Sequence, residues 1–126
     1  MQNLKLIGSK TEQEIRELLI KSNQSLLKKD ENGRLLEVIQ HAYPEMKTAY
    51  ILHWIPEQGE DFYKVLINDS IIAEIELDRN NCKTEATVEN ITLRQYLQGL
   101  SKINQINLSV ALDLAKQDLT VLNCLD

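Results

Sequence analysis

The sequence predicts an α+β fold, an antiparallel meander of three to four strands flanked by N-terminal and C-terminal helices. Three observations carry this. Apolar residues recur at helical spacing before Pro44, they shift toward strict alternation from Lys47 to Glu89, and helical spacing returns after Thr92. With 126 residues, 43 % of them apolar and 26 % charged, the chain fits one globular core. A single domain over 1–126 is expected, with helices over about 11–42, sheet over about 47–89 and helices over about 92–118.

Thr11 followed by Glu14 reads as a capping box, and Ile15, Leu18, Leu19, Leu26 and Leu27 then mark a helix from about Thr11 to Lys29. The polar run Lys28-Lys29-Asp30-Glu31-Asn32-Gly33 reads as a turn, and a shorter helix from about Arg34 to Ala42 would bury Leu35, Val38 and Ile39 until Pro44 stops it. Ala49–Ile55 and Asp61–Ile67 read as strands joined through Pro56–Glu60. Asn68-Asp69 suits the turn into a third strand, Ser70–Asp78. In that strand Ile71, Ala73, Ile75 and Leu77 face one way, and Ile72, Glu74, Glu76 and Asp78 the other. Asn80-Asn81 reads as a further turn, and Lys83–Glu89 as a short fourth strand. Thr92 with Gln95 forms another capping box, Gly99 interrupts the helix it opens, and Ser101 caps a longer one. That helix carries Ile103, Ile106, Val110 and Leu114 on a wide apolar arc suited to packing across the sheet. The tail after Leu119 suits either more helix or a strand.

Charge is distributed unevenly. From Ile55 to Asn90 there are nine acids and three bases, a local charge of -6, while the other 90 residues hold ten acids and eleven bases, or +1. Together these give the net -5. Like charges crowded on a sheet cost stability, so their concentration points to a binding surface for something positive. The candidate contact residues are Glu74, Glu76 and Asp78 as a row of carboxylates, with Ile72 on the same face and Glu57, Glu60 and Asp61 on an adjoining rim. Trp54 and Tyr63 are candidate apolar anchors. The competing reading is a solvated outer face of a one-sided sheet.

Other chemistry finds little support. Cys82 and Cys124 lack metal-site spacing and read as free thiols, His41 and His53 have no nucleophile in a recognisable order, and four glycines form no phosphate loop. No catalytic residue, metal or cofactor is expected. A flat row of carboxylates diverges, so metal binding would require further ligands, with Asp61 a candidate. The acidic balance disfavours direct nucleic-acid binding, and few aromatics argue against base stacking. No apolar run reaches membrane-spanning length and the N-terminus lacks a signal-peptide core, so a cytoplasmic protein without membrane contact is expected, as a monomer or weak dimer.

Two resemblances bear on function. A helix, a meander and a further helix are similar to the core of the PD-(D/E)xK nucleases, which would match Asp61 to the first acid and Glu74 to the second. Glu76 then stands where that family has lysine. Small size, acidity and an α+β meander with flanking helices resemble the immunity proteins of bacterial toxin systems, including contact-dependent growth inhibition. That resemblance implies a non-enzymatic protein that binds and neutralises a basic, nuclease-type toxin domain. A degenerate nuclease-like domain and a subunit of a larger assembly are the alternatives.

Overall fold

The computed structural model describes residues 8–27, 29–79 and 85–124. Two helices, α1 (Lys10–Leu27) and α2 (Lys29–Ala42), precede four strands, β1 (Ala49–Glu57), β2 (Glu60–Ile67), β3 (Ile71–Asp78) and β4 (Thr87–Thr92). Two more helices follow, α3 (Leu93–Leu97) and α4 (Lys102–Cys124). The strands form one antiparallel sheet in the order β1-β2-β3-β4, so the predicted class holds and the fourth strand completes the meander.

Local chemistry explains most boundaries. The first helix starts two residues earlier than Thr11 suggests. Ser9 Oγ accepts from the Glu12 amide at 3.2 Å, and Glu12 accepts from the Ser9 amide at 2.6 Å, a reciprocal capping box. The polar run before Arg34 is not the predicted turn, because α2 begins at Lys29 and runs through Gly33. One helical glycine costs only about 1 kcal/mol, less than burying Leu35, Leu36 and Ile39 returns. The β1–β2 connection shrinks to Gln58-Gly59, with Gly59 at φ +82°, so Pro56 and Glu57 belong to the strand. Asn68 adopts φ +53° in the β2–β3 turn, and its Oδ1 accepts from the Lys47 and Thr48 amides. Thr92 and Gln95 form the predicted capping box of α3, and Ser101 accepts from the Asn104 amide at the start of α4. The C-terminal tail continues α4 as far as Cys124. The predicted turn at Asn80-Asn81 and the start of the fourth strand at Lys83 lie outside the described residues, and β4 itself runs to Thr92.

Helices pack on both faces of the sheet, as the flanking-helix expectation requires, and the competing reading of a one-sided sheet does not hold where they cover it. On one face Ala49, Val65, Ala73, Ile75 and Leu77 pack with Leu26 of α1 and with Leu35 and Ile39 of α2. On the opposite face Tyr50, Leu66 and Ile72 pack under Tyr96 of α3 and under Leu108, Ala111 and Ala115 of α4. These are called the α2 face and the α4 face below. Helix α1 lies along β1, where Asn23 Nδ2 donates to the Ala49 carbonyl at 2.7 Å and so occupies an edge acceptor. Arg16 pairs with Asp113 at 2.8 Å between α1 and α4. Asp118 of α4 accepts from both Thr48 Oγ1 and the Tyr50 hydroxyl, fastening the helix to the start of β1. Burial, followed by the Asp118 carboxylate, pushes the Tyr50 phenol pKa upward.

Tyr96 is the unsatisfied member of the second core. Its hydroxyl is buried with no hydrogen-bond partner among the described residues, and burial pushes its pKa up to about 12. Tyr96→Phe is expected to stabilise the fold by about 1 kcal/mol, since it deletes a desolvated hydroxyl and keeps the ring. A urea midpoint that rises without a change of slope checks this.

Candidate partner-binding face

The α4 face is only half covered. Tyr50, Leu66 and Ile72 lie under the helices, but the next rows of the sheet extend beyond them. Register places His53, Lys64, Glu74 and Glu89 side by side, then Ile55, Phe62, Glu76 and Thr87, and finally Glu57, Glu60 and Asp78. Side chains two apart on a strand share a face and are roughly 7 Å apart, so the three carboxylates of β3 form the predicted row. Cross-strand neighbours add Glu57, Glu60 and Glu89 to it. Six acids therefore share this surface with one base of the sheet, Lys64.

The surface is concave and partly apolar. Ile55, Phe62, Lys64, Glu74, Glu76 and Glu89 line a depression of about 350 Å³, in which Ile55 is 47 % exposed. Compensation is uneven across it. Lys64 approaches Glu74 at 3.9 Å while its ammonium sits 5.5 Å from the centroid of the Tyr96 ring. At the far end Arg79 donates to the Glu57 and Glu60 carbonyls, and Arg34 to that of Asp78. In the middle, Glu76 and Glu89 have no ion-pair partner among the described residues.

His53 closes the covered end of this surface, its ring 6.4 Å from that of Tyr96. Burial, and then the Lys64 charge, hold its pKa below the ordinary 6.5. The unfolded chain therefore takes up this proton at higher pH than the folded one. Its contribution to stability is complete above 6.5 and is lost as pH falls from there through the folded value. His53→Gln is expected to flatten the decline of the urea midpoint between about pH 7 and about pH 5.

Two predicted contact residues are placed elsewhere. Ile72 is 0 % exposed beneath α3 and α4, because its row is the covered one. Asp61 is 8 % exposed and belongs to the α2 face, where it pairs with Arg79 at 3.2 Å and accepts from Trp54 Nε1 at 3.0 Å. The candidate anchors Trp54 and Tyr63 share that face, stacked with centroids 6.4 Å apart and rings at 11°. Trp54 is 58 % exposed there, beside a second depression shared with Ser22 and Ser25 of α1. The apolar groups that accompany the acids are instead Phe62 and Ile55. Sequence reasoning passed over them, although Phe62 has the parity of Glu60 and Lys64. Glu89 also joins the face, through its pairing with Glu74.

The same geometry bears on metal and nuclease chemistry. Asp61 and Glu74 point from opposite faces of the sheet, so the two acids of the nuclease comparison do not converge. Among the described residues no three His, Cys, Asp or Glu side chains group to hold a metal ion, and no helix is long and apolar enough to cross a membrane. No protein-family model, curated protein or solved structure matches this chain.

Proposed function

We propose that the protein is a non-enzymatic, cytoplasmic binder of a basic protein domain, and that it acts as an immunity protein of a bacterial toxin system. The observation that supports this reading is the gathering of six carboxylates, with Phe62 and Ile55 between them, on the half of the α4 face that the helices leave open. Carboxylates there raise the encounter rate with a cationic surface and reject anionic ones, while the apolar floor contributes contact area. A nuclease-type toxin carries a cationic surface for nucleic acid, and covering it would both mask the charge and block substrate access. The partner-contact set becomes Glu57, Glu60, Glu74, Glu76, Asp78 and Glu89 with Phe62 and Ile55.

The test is calorimetric titration against basic, nuclease-type toxin domains, sought first among the products of neighbouring genes, repeated in rising salt, with toxicity measured on co-expression. Binding that weakens steeply with salt and abolishes toxicity is expected. Failure to bind, or an affinity indifferent to salt, would remove the reading.

A further inference from the structure

We propose that the basic partner engages this protein by adding a strand to the outer edge of β4, with side chains that alternate between lysine or arginine and aliphatic residues. The proposal rests on the functional reading above for its charge, and on the sheet edge for its geometry. Strand β4 ends the sheet, and no strand pairs with its outer side among the described residues. The two edges differ in protection. On β1, Pro56 lacks an amide hydrogen and Asn23 of α1 occupies the Ala49 carbonyl. The six residues of β4, Thr-Val-Glu-Asn-Ile-Thr, include no proline and no lysine, the usual guards of an open edge.

Space for side chains exists on both sides of that edge. On the α4 face the depression of about 350 Å³ reaches Thr87 and Glu89. On the α2 face a separate depression of about 360 Å³ lies between α2 and β4, with Val38, Ala42, Ala86 and Val88 as its apolar walls and the exposed Glu37, His41 and Glu85 completing its lining. A strand laid beside β4 sends successive side chains into the two depressions in turn, because side chains alternate across a sheet. One set meets Glu89, with Glu74 and Glu76 next along the sheet. The other set meets Val88 and Val38. The recognition sequence is therefore basic at every second position and aliphatic between. A second copy of this chain fits less well, since it brings another net charge of -5 and another Glu89 to the same edge.

A hexapeptide of alternating lysine and valine, matched in length to the six residues of β4, tests the proposal on the full chain. Two further versions are N-methylated at odd or at even positions, and an isomer carries the three lysines in one block. Binding is followed by amide exchange and chemical shifts. The expected result is added protection of β4 amides, with one N-methylated version and the block isomer each weakened about tenfold or more while the other N-methylated version binds like the parent. Equal binding of all four peptides, abolished by Glu76→Gln with Glu89→Gln, would overturn strand addition and leave the acidic face as the binding surface. No binding by any cationic peptide would overturn both. A dimeric mass without peptide, with β4 amides protected, would assign the edge to a second copy and also overturn the proposal.

Discussion

Ile72→Ala is expected to destabilise the protein by about 3 kcal/mol, within the range for emptying a well-packed aliphatic site. Ile72 shares a strand face with Glu74 and Glu76, and in a bare sheet it would be a surface residue that alanine replaces at little cost. It is fully buried because α3 and α4 cover its end of the sheet, where it packs with Tyr50, Leu66, Tyr96 and Leu108. Truncation there leaves a cavity between a sheet and a helix that are fastened at other points, including the Asp118 bonds to Thr48 and Tyr50, so collapse into the void is restricted. Urea unfolding measures the loss. A change below about 1 kcal/mol would mean that this half of the sheet is not packed as described.

Simultaneous Glu74→Gln, Glu76→Gln and Asp78→Asn substitutions are expected to weaken binding of a basic partner by about 2 kcal/mol, roughly thirtyfold, at low salt. Each carboxylate is near the surface, so each contributes a fraction of a kcal/mol to steering and pairing rather than the larger sums of buried pairs. The gap between variant and wild type should close as ionic strength rises and the Debye length shortens. Stability should move the opposite way. Glu74 stands directly opposite Glu89, and Asp78 lies in one row with Glu60 and Glu57. Like-charged cross-strand pairs cost about 0.2–1 kcal/mol each, which together offset the exposed Lys64–Glu74 pair lost with Glu74, so the neutral variant should unfold at equal or higher urea concentration than wild type. Weaker binding with unimpaired stability is the signature of a surface retained for a partner. A solvated face that serves none would show only the stability change.

Much of this face is legible in the sequence, because parity along β3 follows from alternation alone. The turn at Asn68, the capping box of Thr92 and Gln95 and the helical character of α4 follow from equally local chemistry. What was not legible depended on other elements. Whether Ile72 is a contact or a core residue depends on how far α4 reaches along the sheet, and nothing within β3 encodes that. From sequence alone Asp61 reads as a rim residue, because Pro56–Glu60 resembles a loop. Once that connection shortens to Gln58-Gly59, Asp61 falls on the parity of Tyr63 and Leu77, against the α2 face, where Arg79 and Trp54 meet it. Phe62 and Glu60 fall on the other parity. The start of α2 is hidden from sequence for a related reason, since the cost of Gly33 in a helix is outweighed by burial that only the assembled core supplies.

Amide chemical-shift mapping with an oligolysine probe tests the central claim most directly. Shifts that cluster at Glu60, Phe62, Glu74, Glu76, Thr87 and Glu89, and that disappear at high salt, are the predicted result. Shifts centred on Trp54, Tyr63 and Asp61, or spread evenly over α1 and α4, would contradict it.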